Sequence, residues 1–287
     1  MSSLPCPLPL ARVLACTDDS PASQGAVQAA LELGRACACR VFVLSVLDLI
    51  PYVDYQQPDV MGLPPPLARE FLEMREKAVR DHLAAWEQKA GDLGVALITR
   101  LRLGSPTYVE ILAEAEECHP DLLIMGRRGR SGLERLLVGS VTARVIGHGS
   151  RKVLVVPREA QVAFRRLVLA TDGSPASDAA WRAALEIARR TRAGLAIAAV
   201  SYGDLPLNQA QTQVSRLVEE AQTAGVAADA LVLSGRPDDA ILQLARIREA
   251  DLIVLGSHGR TGLKRLLLGS VAERVIGQAR CPVLVAK

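Results

Sequence analysis

Gly126-Arg-Arg-Gly129-Arg-Ser-Gly132-Leu-Glu-Arg-Leu-Leu-Val-Gly139-Ser140 returns 130 residues later as Gly256-Ser-His-Gly259-Arg-Thr-Gly262-Leu-Lys-Arg-Leu-Leu-Leu-Gly269-Ser270. Across Gly126–Gly147 and Gly256–Gly277, 15 of 22 positions are identical without a gap. In each copy a glycine-spaced loop leads into the start of a helix. The repeat therefore predicts two equivalent halves, each with a potential anion-binding site.

The repeat extends to the beginning of each half. Arg12-Val-Leu-Ala-Cys-Thr-Asp18-Asp-Ser-Pro-Ala-Ser matches Arg166-Leu-Val-Leu-Ala-Thr-Asp172-Gly-Ser-Pro-Ala-Ser. Both are short apolar strands that end in Thr-Asp, followed by a Ser-Pro turn and an Ala-rich helix. Further strands alternate with amphipathic helices, as in βαβ units with a parallel sheet. We predict two tandem doubly wound α/β domains, residues 1–158 and 163–287, each a five-stranded parallel sheet flanked by helices.

The same pattern predicts the bounds of the inner elements. The predicted strands are Arg40–Leu47, Ala96–Leu103, Asp121–Met125 and Lys152–Val156, with Gly194–Val200, Ala228–Leu233, Asp251–Leu255 and Pro282–Ala286 in the second half. The predicted helices are Gln24–Cys37, Pro66–Leu93, Asp178–Thr191 and Leu207–Ala224, and two more begin at Ser140 and Ser270. The first half is longer by 24 residues, which fall between Leu49 and Leu72. This proline-rich insertion is either a plain surface loop or a lid or contact arm.

Composition excludes several classes of protein. A hydrophobic content of 49% with 23% charged residues is typical of a soluble globular protein, and a net charge of +3 does not favour a nucleic-acid binder. No apolar stretch is long enough to span a membrane, and the start of the chain lacks the basic region of a signal peptide. Cys37 and Cys39 have the wrong spacing for a CxxC motif. We therefore expect a cytoplasmic protein whose six cysteines are reduced and mostly buried.

The predicted topology indicates where a ligand would bind. In an open parallel sheet, ligands bind at the carboxyl ends of the strands where the winding direction switches. That point lies between the first and fourth strands of each half. Asp18 and Asp172 follow the first strands, and Gly126 and Gly256 follow the fourth. The acids and the glycine loops are thus expected to face each other.

The chemistry of the loop favours a phosphate ligand. Glycines at 126, 129, 256 and 259 permit positive φ and let backbone N–H groups approach a ligand closely. Gly139-Ser140 and Gly269-Ser270 begin helices, whose free N–H groups attract anions. Cationic charge comes from Arg127, Arg128, Arg130 and Arg260. No Gly-Lys-Ser/Thr follows the glycines, so the loop is not a Walker A motif.

Structural explanations without a ligand stay open at this point. The glycines can be mere turns, and Asp18 and Asp172 can be turn-formers that bond nearby N–H groups. Ser270-Val-Ala-Glu273 is a capping-box pattern, which the first copy lacks. His258 has Arg128 at the matching position, so we expect it on the loop surface rather than in a catalytic role.

The G-x2-G-x9-G-S pattern, the Thr-Asp-x-Ser strand end and the closing Val-Leu-Val-Val strand resemble the universal stress protein family in its tandem form. The resemblance covers nearly the whole chain and implies ATP, with Mg²⁺, as the ligand of each half. It implies adenine contacts from Asp18, Val46, Asp172 and Val200. It implies ribose and phosphate contacts from Gly126, Gly129, Gly139, Ser140 and Val141, and from Gly256, Gly259, Gly269, Ser270 and Val271. It also implies pairing of domains through the last strands, within the chain or in a homodimer.

One position departs from the family pattern. The second half keeps Asp172-Gly-Ser174, whereas the first half has Asp19 in place of the glycine. A second carboxylate near a polyphosphate would repel it unless Mg²⁺ or the arginines offset the charge. We therefore expect the second copy to be the more conventional site.

Three functions compete at this stage. The first is an ATP-binding stress-response regulator with little or no hydrolysis, which acts on unidentified protein partners. No paired metal carboxylates are evident beyond Asp18-Asp19, and no catalytic residue is predicted. The second is a protein-interaction scaffold of the same fold that binds no nucleotide. The third, an adenylate-handling enzyme, lacks signatures such as Ser-Gly-Gly-x-Asp-Ser.

Overall fold

The computed structural model describes residues 5–48, 65–129, 138–203, 205–260 and 268–287. The first half contains β1 (Arg12–Thr17), α1 (Pro21–Cys37), β2 (Arg40–Leu47), α2 (Pro65–Asp92), β3 (Leu97–Leu103), α3 (Thr107–Cys118), β4 (Leu122–Gly126), α4 (Ser140–His148) and β5 (Lys152–Val156). The second contains β6 (Arg166–Thr171), α5 (Pro175–Thr191), β7 (Gly194–Ser201), α6 (Leu207–Thr223), β8 (Ala228–Ser234), α7 (Pro237–Ile247), β9 (Leu252–Gly256), α8 (Ser270–Gln278) and β10 (Val283–Ala286).

Both halves have the predicted α/β winding. The strand order is β3-β2-β1-β4-β5 in the first half and β8-β7-β6-β9-β10 in the second, and all pairs within a half are parallel. The direction of winding therefore switches between β1 and β4, and between β6 and β9. These are the strands after which the two acids and the two glycine loops occur.

The halves join through their last strands. β5 and β10 pair antiparallel, with Leu154 opposite Leu284, so the two sheets form one ten-stranded, mostly parallel sheet. The sequence left open whether these strands pair within the chain or between chains. In this structure they pair within the chain.

Apolar runs explain the burial of the central strands. Strands β1, β4, β6 and β9 consist almost entirely of buried residues because helices cover both faces of the sheet. One core layer lies beneath α1, α2, α5 and α6, and the other beneath α3, α4, α7 and α8. The edge strands β3 and β8 are more exposed. The carboxyl ends of β1 and β6 are thereby held in a rigid frame.

Several expectations are corrected in detail. The first helix of each half begins three residues earlier than predicted, at Pro21 and Pro175, because Ser20 and Ser174 cap them and proline suits the first helical turn. Residues 49–64 of the insertion lie outside the described residues, and its last prolines, Pro65 and Pro66, begin α2.

The cysteine expectation is wrong for one pair. Cys6 and Cys37 form a disulfide between the N-terminal segment and the last residue of α1, while the other four cysteines are free. Three of the free cysteines are buried, and burial raises the pKa of the Cys16 thiol to about 12. Among the helices of the described residues, none has the length and apolarity needed to cross a membrane.

Candidate functional site

A cavity of about 660 Å³ opens at the carboxyl ends of β6 and β9 in the second half. This volume is within the range of small-molecule and cofactor sites. All seven residues predicted for the second half line it: Asp172, Val200, Gly256, Gly259, Gly269, Ser270 and Val271. These residues are far apart in the sequence, and they meet because the winding of the sheet switches direction between β6 and β9.

Asp172 connects the turn after β6 to the glycine loop after β9. Its Oδ1 accepts from the backbone N–H of Ser174 at 3.0 Å, and its Oδ2 accepts from that of Arg260 at 2.9 Å. The first bond is the local turn contact that the sequence left open. The second bond crosses the site, so the carboxylate also braces the glycine loop.

The loop glycines are required for close approach and not for left-handed backbone. None of the glycines at 126, 129, 256 and 259 has a positive φ, so that part of the expectation is wrong. A Cβ on Gly256 would lie 2.7 Å from the carbonyl carbon of Ala176 at the start of α5. A Cβ on Gly259 would lie 2.7 Å from Asp172 Oδ2. Side chains at these positions would push the loop away from the turn.

Ser270 does not form the capping box that its sequence pattern left open as an alternative to ligand binding. Gly269 is the N-cap of α8, and Ser270 is the first helical residue. The hydroxyl of Ser270, like that of Ser140 in the first half, makes no hydrogen bond to another described residue, and both side chains are exposed. The hydroxyl and the first N–H groups of the helix are therefore available to an anion.

One wall of the cavity is apolar. It is formed by Ala198, Val200, Ile241, Leu255, Leu268 and Val271, which belong to or pack against the core layer under α7 and α8. An apolar wall with a few polar groups at the rim is typical of small-molecule and cofactor sites. Val200 was predicted to contact adenine and Val271 to contact ribose or phosphates, whereas the other four were not predicted.

The far end of the cavity is charged, which the sequence did not reveal. Arg236, Asp238 and Arg274 line it. Asp238 is 2% exposed, and its carboxylate lies 3.0 Å from Arg236 and 3.6 Å from Arg274. The Gly235-Arg-Pro237 strand end was visible in the sequence, but nothing indicated that the following helix turns its first residues into the site.

His258 also lines the cavity, so its assignment to the loop surface is wrong. Its Nδ1 lies 2.9 Å from Ser257 Oγ, and its Nε2 is shielded from solvent without a hydrogen-bond partner among the described residues. The imidazole is half-buried because the loop folds back over the turn after β6, where Ser174 Oγ donates to the His258 carbonyl at 3.4 Å.

The first half repeats this backbone. Gly139 N–H donates to the Arg127 carbonyl at 2.9 Å, as Gly269 N–H does to Ser257 in the second half. Asp18 Oδ1 accepts from Ser20 N–H at 3.1 Å, and a Cβ on Gly129 would lie 2.5 Å from Asp18 Oδ2. The structure thus brings together Asp18, Gly126, Gly129, Gly139 and Ser140, while Val46 and Val141 are half-buried beside the core layer under α3 and α4.

The loop arginines of the first half do not all face a ligand. Arg127 Nη1 donates to the carbonyl of Ala279 at the end of α8, across the junction between the halves, at 2.9 Å. Burial and the neighbouring Arg128 lower the pKa of Arg127. The expectation that Arg127 adds charge for a ligand is therefore wrong, and Arg130 lies outside the described residues.

Asp19 does not point into the cleft either. Its carboxylate accepts from His82 Nδ1 on α2 at 2.8 Å. The matching residue of the second half, Gly173, is absent from the residues that line the cavity, and a Cβ there would lie 3.0 Å from Gln213 on α6. A side chain at this position therefore points toward the helix, and the expected repulsion of a polyphosphate is reduced.

The described part of the chain offers no protein cage for a metal ion. No group of three or more His, Cys, Asp or Glu that could hold an ion occurs in the described residues. In the second cleft the carboxylate of Asp172 is engaged by N–H groups and that of Asp238 by arginines. The residues therefore fit Mg²⁺ bound through phosphate oxygens and water, rather than through a protein cage.

Comparisons with known proteins point to one family. The sequence model of the universal stress protein family matches residues 10–157 and 163–287. A universal stress protein of Mycolicibacterium smegmatis is 30% identical over 77% of this chain and 76% of its own length. One from Methanocaldococcus jannaschii is 38% identical over 45% of this chain and 86% of its own length. The crystal structure of a universal stress protein from Archaeoglobus fulgidus superposes with a TM-score of 0.76 and 26% identity, covering 96% of this chain and 98% of that one.

Proposed function

The chain belongs to the universal stress protein family, and from that premise we propose that each half binds one adenine nucleotide, ATP with Mg²⁺. The observation that supports this most is the second cleft. The seven residues that the family resemblance implies for this half line one cavity of about 660 Å³, with an apolar wall at one side and the beginning of a helix at the other.

The apolar side suits the base. Val200, Ala198 and Leu255 offer a flat surface, and the Asp172 carboxylate lies at its edge. Each carboxylate oxygen has a lone pair beyond the one used by its N–H donor. Asp172 can therefore accept from the adenine amino group or a ribose hydroxyl while it braces the loop. Asp18 and Val46 take these roles in the first half.

The helix side suits the phosphates. At the start of α8 the N–H groups of the first helical turn, beginning with Ser270, have no acceptor within the helix, and Arg260 adds a cation at the exposed rim. Mg²⁺ would supply charge neutralisation on the phosphate oxygens. In the first half, Gly139 and Ser140 take the corresponding positions at the start of α4.

The proposed output is regulation by occupancy, with little or no hydrolysis. A general base must have a free acceptor within reach of the attacking water. In the second cleft, the proposal assigns Asp172 to the adenine or ribose, and the Asp238 carboxylate is paired with two arginines, so neither is left to activate a water. The proposal includes a cytoplasmic location and unidentified protein partners. Because β5 and β10 already pair within the chain, a homodimer would have to form through another surface. Sedimentation velocity tests whether the protein forms a homodimer.

Equilibrium dialysis with ATP and Mg²⁺ tests the proposal. We expect two nucleotides bound per chain at millimolar ATP. Absence of binding, with no shift of the thermal unfolding midpoint on addition of ATP, would favour the protein-interaction scaffold instead. GTP serves as the control, since its base lacks the 6-amino donor.

The role of Asp172 has its own test. Asp172→Ala is expected to weaken binding of ATP more than binding of purine riboside triphosphate, which lacks the amino group. Calorimetry in a Gly139→Asp background restricts the measurement to the second site. Equal weakening of both nucleotides would show that Asp172 acts only as a brace for the loop.

A further inference from the structure

His82, on α2, makes contacts that the nucleotide cleft does not explain. Its Nδ1 lies 2.8 Å from Asp19 Oδ1, and its Nε2 lies 3.1 Å from Thr17 Oγ1. Thr17 and Asp19 are the residues directly before and after Asp18. One side chain therefore contacts both neighbours of the carboxylate residue that faces the first glycine loop.

The network determines which nitrogen of His82 carries the proton. Trp86 Nε1 can only donate, and it lies 3.2 Å from His82 Nε2. Nε2 must therefore be the acceptor, and the proton on Nδ1 is donated to Asp19. The Thr17 oxygen in turn accepts from the backbone N–H of Asp19 at 3.2 Å. The side chains of Thr17 and Asp19 are thus both oriented by one neutral imidazole.

Burial and backbone conformation make these bonds important. The His82 side chain is 14% exposed and Thr17 is 5% exposed, so water competes weakly for their hydrogen bonds. Asp19 has a φ of 63°, in the left-handed region that costs energy for residues other than glycine. The bond from His82 fixes the side chain of this unfavourable residue in one direction.

The second half fixes the same turn with a different pair. Gln213 and His82 each lie 15 residues before the first residue of the next strand, Ala228 or Leu97. Gln213 Nε2 donates to Thr171 Oγ1 at 2.8 Å, and Gly173 takes the left-handed position with a φ of 77°. Histidine occurs with aspartate in one copy, and glutamine with glycine in the other.

We propose that His82 is a positioning residue for nucleotide binding in the first half. It holds the residues on both sides of Asp18, and so sets that carboxylate against Gly129 and directs the Asp19 carboxylate toward α2, away from the phosphates. The inference rests on the proposed binding of a nucleotide. Loss of His82 frees the turn, and binding must then order it again at a cost in affinity.

The test uses His82→Ala and the double variant Asp19→Gly/His82→Gln, which recreates the pair of the second half. Both are made in a Gly269→Asp background, so that calorimetric titration with ATP and Mg²⁺ reports on the first site. His82→Ala is expected to weaken binding about tenfold, as for the loss of one charge-assisted hydrogen bond. The double variant is expected to bind within about threefold of its parent.

Two measurements separate positioning from a general structural role. Gln213→Ala in a Gly139→Asp background is the matched control, with an expected loss at the second site. Long-range ¹H–¹⁵N correlation spectra of the wild type are expected to show His82 protonated at Nδ1, and they need neither a variant nor a nucleotide.

Three outcomes would overturn the inference while leaving nucleotide binding intact. These are unchanged affinity in His82→Ala, a double variant as weak as His82→Ala, or a His82 protonated at Nε2. A Gly269→Asp parent that binds no ATP would instead overturn nucleotide binding in the first half, and this inference with it.

Discussion

The two halves have the same cleft backbone but different surroundings. In the second half the turn after β6 has Gly173 and is held by Gln213, and the side chain of Ser257 in the loop bonds to the adjacent His258. In the first half the turn has Asp19 and is held by His82. Its loop residue Arg127 reaches across to the other half. Duplication has kept the backbone geometry of the proposed nucleotide site, while the residues behind it differ between the copies.

The outer edge of each half differs more. On β3 and α3, Arg102 contacts Glu110 at 2.9 Å, Glu114 at 3.2 Å and Glu117 at 2.8 Å, and Glu114 is only 3% exposed. The second half has leucine, isoleucine and alanine where Arg102, Glu110 and Glu114 stand, at Leu233, Ile241 and Ala245. The same fold therefore accepts a charged network or an apolar contact at this edge.

The largest effect is expected from breaking the charged network. Arg102→Leu removes a cation from the buried Glu114, which keeps only a weaker contact with Arg100 at 3.4 Å. We expect a loss of about 2 kcal/mol in the free energy of unfolding by urea. Adding Glu114→Ala gives the leucine–alanine pair of the second half and should recover most of that loss. A double variant less stable than Arg102→Leu would contradict the equivalence of the two edges.

The junction between the halves is the next test. Arg127→Ser introduces the residue of the second copy and removes the bond to the Ala279 carbonyl at the end of α8. A cation at the C-terminal end of a helix also interacts favourably with the helix dipole. We therefore expect Arg127→Ser to lower the free energy of unfolding by about 1.5 kcal/mol, with ATP affinity retained. If Arg127 served the phosphates instead, calorimetry would show weaker binding at the first site with unchanged stability.

Lys287 makes the reciprocal contact and gives a pH dependence. Its Nζ donates to the carbonyls of Gly147 and Gly149 at the end of α4, and burial lowers its pKa to about 8. The unfolded lysine, with a pKa of about 10.4, then binds more protons than the folded one between these values. Stability contributed by this site should rise with pH in that window. The two pKa values alone give about 2 kcal/mol between pH 7 and 9.5, and solvent screening of the partly exposed lysine reduces this to about 1 kcal/mol.

The comparison with Lys287→Met isolates this contribution. Buried thiols act in the opposite direction, because burial raises the pKa of Cys16 to about 12 and so favours unfolding as the pH rises above 9. The measured quantity is therefore the difference in unfolding free energy between wild type and Lys287→Met at the two pH values. A constant difference would show that Lys287 does not titrate in this range.

The smallest effect concerns the serines at the helix starts. Ser270→Ala and Ser140→Ala each remove one hydroxyl that has no partner among the described residues, so stability should stay within about 0.5 kcal/mol. Each should weaken ATP about threefold at its own site, as for one neutral hydrogen bond. A lower free energy of unfolding with unchanged ATP affinity would show that these serines stabilise the helix starts and do not bind the nucleotide.

The sequence predicted what depends on local pattern and on topology. Arg40–Leu47 and Lys152–Val156 have the predicted bounds, since apolar runs between turn signals define them. The convergence of Asp172 with the glycine loop followed from the winding rule. The contacts of His82 with Asp19 and of Arg127 with Ala279 could not be predicted, because they depend on side-chain directions between distant elements. The only signal in the sequence was that Asp19 and His82 of the first copy are both replaced in the second, by Gly173 and Gln213. This signal becomes visible only when α2 is aligned with α6 across the insertion.

The role of the loop glycines illustrates the same limit. Their positions identified the site, but the reason inferred for them, positive φ, was wrong. Gly126 and Gly256 are needed because the first turns of α1 and α5 leave no room for a Cβ. Packing between loop and helix determines this, and a sequence pattern does not distinguish it from a turn requirement.

The most direct test of the account is calorimetric titration of ATP and Mg²⁺ into the wild type, Gly139→Asp and Gly269→Asp. A carboxylate at either position would meet the phosphates at the start of α4 or α8 and abolish that site. We predict two sites in the wild type and one in each variant. Undetectable binding by all three at millimolar ATP, or two sites persisting in either variant, would contradict the claim that both glycine loops bind nucleotide.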